Sequence, residues 1–220
     1  MKPLEVRAHL DTGLMLPQGW LALDSLLMAA VAQRDNLPRP SVLTGPLPML
    51  EIPVLFDEAH GFHFASVAVA KWEQHETRHI NRRFPADEAA RLGDGKLKKI
   101  SLSSGPTKSY RIPARVGWVA GDVLTWWCIG HEDQVRELLR VVSYLGKRRA
   151  VGCGRVRRWE VEVMRETWEG FPVTRDGQPL RPLPTTWGDL ATAFPRAMGC
   201  LRPPYWERYR EEEIAVPWVE

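Results

Sequence analysis

The chain has 220 residues, of which 44% are hydrophobic and 26% charged, and its formal net charge is +3. This composition is typical of a soluble globular protein with one large domain or two small ones. No apolar run approaches the ~20 residues of a membrane-spanning helix, and the N-terminus has no apolar signal core, so we expect no membrane association. Cys128, Cys153 and Cys200 are far apart and odd in number. Their spacing argues against a disulfide framework or a cysteine metal site and favours a reduced, cytoplasmic setting.

The first half of the chain predicts two strands and a helix. Alternating apolar and polar residues predict a strand over 4–10, and leucines at helical spacing predict a helix over 21–34. The aromatic and β-branched stretch 62–72 predicts a second strand. Periodicity is then lost over 73–109, apart from a short helix around PADEAARL (85–92). We interpret 73–109 as a long excursion from the sheet, since structureless loops of this length are usually functional or mobile.

Regular elements resume in the second half. Residues 110–119 and 122–129 predict two strands joined by a tight turn. Apolar residues from 135 to 145 follow the helical repeat, and Gly146 stands where a helix C-cap is expected. Alternation over 158–163 predicts the last strand.

The order strand, helix, strands, helix, strand predicts an α+β fold of the ferredoxin-like (RRM-like) type over residues 1–165, with the long basic insertion at about 73–109. Residues 166–220 are rich in tryptophan and proline. They predict an irregular C-terminal extension that packs on this domain or on a partner.

Positive charge is concentrated in two segments. Residues 71–111 hold ten Lys/Arg and five Asp/Glu, a net of +5, and residues 147–158 hold six Lys/Arg and no acid. One such run is more often a solvated surface than a binding site. Two runs, one of them glycine-rich, favour contact with a polyanion such as a nucleic acid.

The glycine-rich run GKRRAVGCGRV (146–156) connects the second predicted helix to the last strand. Glycines allow positive φ, so that backbone N–H groups can turn toward an anion, and arginines offer forked donors to phosphate oxygens. The run lacks the GxxxxGK[ST] pattern, and it leaves a helix rather than opening one, so we expect no nucleotide triphosphate site. The residue types leave open a nucleic-acid contact and a plain helix-to-strand turn.

The same run resembles the G-rich loop of the RAMP superfamily of CRISPR-associated RNA-binding proteins. LEVRAHLDTGLML…LALDSLLMAAVA, HINRRFP and RPPYW extend the resemblance to the Cas-five-like subunit of type IV CRISPR effector complexes. It implies a crRNA-binding subunit that caps the 5′ handle of the guide RNA, while a protrusion bends the RNA and contacts a backbone subunit. It also implies a large subunit as a second protein partner, and target DNA reached through the complex. No pattern calls for a cofactor or a metal.

Carried over to this sequence, the resemblance implies two sets of RNA-binding residues. The G-rich loop contributes Gly146, Lys147, Arg148, Arg149, Gly152, Gly154, Arg155 and Arg157. The basic insertion contributes Arg78, His79, Arg82, Arg83, Lys96, Lys98 and Lys99. Three aromatic residues beside these segments are candidates for stacking on unpaired bases, although core positions explain them better: Trp72, Tyr110 and Trp159.

Two alternatives remain open. A RAMP endoribonuclease would cut precursor guide RNA by metal-independent acid–base chemistry, and His75 and His79 would share a face if their segment were helical. Their basic surroundings suit phosphate binding better, so we expect no enzymatic activity. A protein-only adaptor would dock through the tryptophan-rich tail, which explains the tryptophans but not the glycine loop.

Overall fold

The structure is a computed structural model of the chain. It describes residues 1–16, 20–37, 49–85, 87, 101–104, 108–188, 194–205 and 210–217. Lys96, Lys98 and Lys99 lie outside the described residues, as does most of the short helix predicted around 85–92. Among the described helices, none has the length and hydrophobicity that a membrane crossing requires.

The described part of the chain contains two α-helices, α1 (Leu23–Arg34) and α2 (Glu132–Leu139). The longer strands are β1 (Lys2–Leu10), β4 (Trp72–Arg82), β5 (Tyr110–Val119), β6 (Val123–Gly130) and β7 (Val156–Val163). The strands of two to four residues are β2 (Phe56–Asp57), β3 (Phe62–His63), β8 (Thr174–Arg175), β9 (Gln178–Pro179), β10 (Leu183–Pro184), β11 (Arg196–Gly199) and β12 (Glu212–Ala215).

The main sheet has β1 at its centre, paired antiparallel with β6 on one side and β7 on the other. Leu4, Val6 and Ala8 of β1 are fully buried, and the residues between them face the other side of the sheet. This is the alternation that predicted the strand, because successive side chains of a strand point to opposite faces.

The segment that precedes β4 runs along the free edge of β6. Ala65 bridges Cys128 and Val69 bridges Thr125, both antiparallel, so the segment takes the place of a fourth strand. Of the strand predicted over 62–72, only Phe62–His63 and the last residue, Trp72, where β4 begins, lie in regular strands. Its ladder with β6 is irregular because the amides that donate to Trp127 and Thr125, those of Ser66 and Val69, are three residues apart on this segment and their acceptors only two apart on β6.

Both helices pack against the buried face of the main sheet. Leu23 and Leu27 of α1 and Val135 and Leu139 of α2 join the core cluster of β1. Helix α2 ends at Leu139, six residues before the predicted end.

The predicted C-cap at Gly146 is therefore wrong. Beyond α2 the chain pairs instead with the start of β7, since the amide of Leu145 donates to the carbonyl of Gly154 at 2.8 Å and Tyr144 bridges Arg155. Val142 and Leu145 still face the core, which explains why the helical repeat persists in the sequence past the end of the helix.

The described part of the C-terminal extension packs on the main domain. It contains the small sheet β10-β12-β11, and Leu183 and Ile214 of this sheet form a second core cluster with Phe62. The mixed α+β prediction is confirmed, with antiparallel pairing in every described sheet. The ferredoxin-like arrangement stays a prediction.

Candidate nucleic-acid interface

The G-rich loop, residues 146–155, is a compact turn rather than an open coil. Gly146 and Gly154 both have positive φ, and a Cβ at either would collide with backbone carbonyls, of Met15 and Leu145 respectively. At Gly152, by contrast, an added Cβ would meet nothing within 4 Å. Two of the glycines thus let the loop pack closely on its neighbours, and only Gly152 has open space beside it.

Most of the loop's backbone amides are already hydrogen-bonded. The amides of Val151 and Gly152 donate within the loop, to the carbonyls of Arg148 and Arg149. Those of Lys147 and Gly154 donate to Met15 and Gly13, at 2.7 and 2.9 Å. The sequence suggested that amides of this loop would cradle an anion. In the structure these four have protein partners, so the side chains are left to bind a ligand.

The basic side chains of the loop fall into two groups. Lys147, Arg148 and Arg149 are exposed and form no ion pair with any described residue. Arg155 and Arg157 both approach the carboxylate of Asp11, at 3.6 and 3.7 Å. The first three are therefore the cations most available to an external phosphate.

The second basic segment forms a two-stranded antiparallel hairpin of β4 and β5, separate from the main sheet. The prediction that order is lost at residue 73 is wrong, because β4 continues to Arg82. Most side chains of β4 are exposed on both faces, so the strand carries no apolar alternation for sequence reasoning to detect.

The strand conformation divides the predicted residues of this segment between two faces. Arg78 and Arg82 lie on one face, and His79 lies on the other. Arg78 is paired with Glu76 at 3.0 Å and lies 5.9 Å from the ring centroid of Trp118.

Sequence reasoning missed Arg111 and Arg115, which are exposed on the same face as His79. They are four residues apart in a predicted strand, and this spacing alone would have placed both arginines on one face of it. Arg83 follows the end of β4 and is exposed.

Residues 12–15 join the loop to the hairpin. On one side, Leu14 exchanges two backbone hydrogen bonds with Gly117 of β5, at 2.7 and 2.8 Å. On the other side, the Thr12 hydroxyl donates to the carbonyl of Gly152 at 2.8 Å and accepts from the amide of Arg155 at 2.9 Å. We call residues 12–15 the strut, because they hold the base of the G-rich loop next to the base of the hairpin.

A family model described as CRISPR type IV associated protein Csf3 matches residues 52–217. The chain belongs to the Csf3 family. The match includes the hairpin, the G-rich loop and the described C-terminal extension, and it begins after β1 and α1. No curated protein matches the chain. The resemblance to type IV CRISPR proteins is thus confirmed, whereas the RAMP assignment and the handle-binding role stay predictions.

The three candidate aromatics occupy different environments in this Csf3-family chain. Trp159 packs 5.7 Å from Trp126 and donates its indole N–H to the carbonyl of Val142, which identifies it as a core residue. Trp72 is half-buried at the base of the hairpin, with its ring over Gly117. Tyr110 is half-buried at the other end of β5.

The open face of the main sheet does not resemble a platform for stacked bases. Glu5, Glu160 and Glu162 surround Arg7 there, each in ion-pair contact with its guanidinium. Carboxylates so placed repel phosphates. The candidate interface of this Csf3-family chain is therefore the loop, the strut and the hairpin rather than the sheet.

The histidines form no metal site in the described part of the chain, where no group of three His, Cys, Asp or Glu could hold a metal ion. His75 and His79 lie on one face of a strand, not of a helix. Four residues of strand separate their Cα atoms by about 13 Å.

Proposed function

We propose that this chain is the crRNA-binding subunit of a type IV CRISPR ribonucleoprotein in the cytoplasm, where it caps the 5′ handle of the guide RNA. The observation that carries the proposal is the group of exposed cations on the G-rich loop, Lys147, Arg148 and Arg149, held by the strut beside a basic hairpin. Membership of the Csf3 family supports the type IV assignment.

The proposal includes a RAMP domain of ferredoxin-like topology. The spatial order β7-β1-β6, with residues 65–69 along the outer edge of β6, supports it. In such a fold the first strand lies between the last and the third, and the second strand lies outside the third. The position of α1 and α2 on one face of the sheet supports it too.

The loop presents its basic side chains to RNA from a fixed backbone. Hydrogen bonds to residues 12–15 fix this backbone, so little backbone entropy is lost when phosphates bind, and the cost is confined to ordering the side chains. Lys147, Arg148 and Arg149 have no ion pair with a described residue to break before they contact the RNA. Each phosphate that they neutralise releases counterions and increases the salt dependence of binding.

The subunit acts by binding and assembly rather than by cutting. An acid–base pair must reach one scissile phosphate from both sides. The Cα atoms of His75 and His79 are about 13 Å apart along β4, a spacing that does not favour two imidazoles on one phosphate. A backbone subunit and a large subunit are its protein neighbours, and target DNA is reached through the assembled complex.

Reconstitution with guide RNA tests the proposal. In Arg148→Glu/Arg149→Glu, we expect the assembled complex to lose most of its bound guide RNA, because both charges are reversed at the loop. The 260/280 absorbance ratio of the purified complex and a denaturing gel of its RNA measure the loss.

The matched control is Lys2→Glu/Arg165→Glu, which makes the same change in charge. Both residues are exposed and lie at the end of β1 and β7 that is remote from the loop. If the loop variant retained as much guide RNA as this control, the proposal that the chain caps the 5′ handle would be refuted. A second test incubates repeat RNA with the purified protein in EDTA. If a cleaved product formed with the wild type and not with His75→Ala/His79→Ala, the non-catalytic role would be refuted.

A further inference from the structure

Strand β7 lies at one edge of the main sheet, and its outer side has no strand partner in the described part of the chain. The amide of Met164, just after β7, donates to β1 at 3.0 Å, whereas the carbonyl of Val161 accepts from Arg136 of α2 at 2.9 Å. Successive residues of a strand turn their backbone groups to opposite sides, so these two bonds fix its orientation. The backbone N–H and C=O groups of Trp159, Val161 and Val163 therefore point away from β1.

The chain itself pairs with the start of this edge and then leaves it. The amide of Val156 donates to the carbonyl of Ser143 at 2.9 Å, and Tyr144 bridges Arg155. Before Ser143 the chain leads back to α2, and no described strand continues the pairing toward Val163. An unpaired strand edge is a template on which another chain can add a strand.

A groove of about 420 Å³ lies where this edge meets the end of α2. Four arginines line it, Arg136 and Arg140 from the end of the helix and Arg157 and Arg158 from β7. The other residues that line it are two valines, a serine and Trp159, so none of the described residues around the groove is acidic. Such a concentration of one charge favours an anionic ligand.

The four arginines differ in how available they are to this ligand. Arg140 is exposed and forms no ion pair with any residue that the structure describes. The other three contact carboxylates outside the groove: Arg136 lies 2.7 Å from Glu132, Arg158 lies 2.9 Å from Glu160 and Arg157 lies 3.7 Å from Asp11. Arg140 is therefore the cation of the groove that a new carboxylate can pair with directly.

The backbone of the edge favours a peptide over a nucleic acid as the ligand. Outward carbonyls such as that of Trp159 need hydrogen-bond donors, whereas phosphate oxygens only accept. An extended peptide offers N–H and C=O groups with the same alternation as the strand. The arginines of the groove then select a peptide that carries carboxylates.

The same arginines argue against a second copy of this chain as the partner. Two β7 edges that paired about a two-fold axis would bring identical surfaces together. The arginines of both grooves, Arg136 and Arg140 among them, would then lie side by side. Like charges so placed repel, which leaves a different, acidic protein as the partner that fits.

We propose that the outer edge of β7, together with this groove, binds an extended acidic segment of a partner protein. The segment adds a strand to β7 and carries carboxylates at alternate positions, where they meet Arg140. Its other row of side chains lies on the opposite face of the sheet, beside Glu160 and Glu162, where further acids are disfavoured. The inference goes beyond the proposed function, because it assigns a protein contact that needs no RNA.

Binding of a labelled peptide of about ten residues, in which glutamate alternates with valine, to the full chain tests this inference by fluorescence anisotropy. Arg140→Glu should weaken binding by about fivefold or more, because it reverses the available charge of the groove. Arg111→Glu makes the same change on the exposed far end of the hairpin and should leave the affinity unchanged. Thermal unfolding checks that both variants fold.

Two further peptides separate charge from strand addition. A peptide in which lysine alternates with valine has the same tendency to form a strand and the opposite charge, and it should not bind. A peptide in which glutamate alternates with proline keeps every carboxylate but loses half of its amide donors. It should bind about tenfold more weakly than the glutamate–valine peptide, since it cannot complete the ladder with β7.

Four results would overturn the inference. The first is no measurable binding of the glutamate–valine peptide, and the second is equal binding of the lysine–valine or the glutamate–proline peptide. The third is equal affinity of folded Arg140→Glu and Arg111→Glu for the glutamate–valine peptide. The fourth is an oligouridylate that binds more tightly than this peptide and loses as much affinity in Arg140→Glu, which would identify the groove as a nucleic-acid site. Arg140 lies outside the residues proposed to bind the 5′ handle, and the peptide assay contains no guide RNA, so a failure of the handle cap leaves this result intact.

Discussion

The basic residues of the loop differ in the protein contacts that a phosphate would have to displace. Arg155 and Arg157 already share Asp11 at 3.6 and 3.7 Å. An exposed ion pair is worth about 0–1 kcal/mol, yet it competes with a phosphate for the same guanidinium. Lys147, Arg148 and Arg149 have no competing carboxylate among the residues that the structure describes, so we expect them to dominate the affinity of the loop for phosphate.

A buried histidine gives the protein a sensitivity to acid that is unrelated to RNA. His63 is 3% exposed, and burial, together with the nearby Arg181 and Arg202, lowers its pKa from 6.5 to about 4. Between these values the unfolded chain binds more protons than the folded one. The contribution of His63 to the free energy of unfolding is therefore complete above about pH 6.5 and falls as the pH drops toward 4.

We predict that wild type loses stability relative to His63→Gln as the pH falls from 7 to 5, by about 2 kcal/mol. Urea unfolding at a series of pH values measures the difference between the two proteins. The two proteins are compared because burial also raises the pKa of Asp24, whose contribution to stability changes with pH in the opposite direction. Parallel pH profiles for the two proteins would show that His63 is not the titrating group.

At the scale of elements, the loop combines a rigid base with an exposed tip. Gly154 packs against Leu14 and the carbonyl of Leu145, whereas Gly152 has open space beside it, although both have positive φ. The two glycines therefore form a matched pair in which only the packing differs.

We predict that Gly154→Ala lowers the free energy of unfolding by about 2–4 kcal/mol, because its Cβ collides with backbone that cannot move freely. Gly152→Ala adds only the cost of a left-handed alanine, about 1 kcal/mol. Chemical denaturation gives both values, and guide-RNA retention should fall for Gly154→Ala alone. Equal effects of the two variants would mean that the loop is not packed as described.

The sequence predicted the elements that have one buried face. The apolar alternation of β1 and the helical repeat of α1 are visible because each buries a defined set of side chains. β4 was missed because most of its side chains are exposed on both faces. The strands of the C-terminal extension are two to four residues long, too short to show a period.

The candidate interface was predicted only in part. The cations of the loop are adjacent in sequence, so their clustering could be read directly. Arg111 and Arg115 join His75 and His79 only through the register of β4 on β5. The strut depends on contacts between residues that lie about 140 positions apart, such as Thr12 and Gly152, and no local pattern indicates them.

At the scale of the whole molecule, the described C-terminal extension is part of the fold. Arg181 is 1% exposed, and its guanidinium donates to the carbonyls of His63, Ala65 and Leu201. It also lies 3.7 Å from the buried carboxylate of Asp24 on α1. One side chain thus links the extension to the helix and to the segment beside β6.

We predict that Arg181→Met lowers the free energy of unfolding by about 3–5 kcal/mol, because it leaves Asp24 and several carbonyls buried without their cation. Urea denaturation measures the loss, with the exposed Arg165→Met as the control. A loss no greater than that of the control would show that the extension does not depend on this contact.

The strut also determines when the surface can form during synthesis. Residues 12–15 leave the ribosome early, but their partners in the loop are made about 140 residues later. Because synthesis runs from the N-terminus, a nascent chain contains the residues of β1, α1 and the strut before it contains the loop or the strands that pair with β1. A partly made chain therefore lacks this surface, and under the proposed function capture of the guide RNA would wait until more than two thirds of the 220 residues have been made.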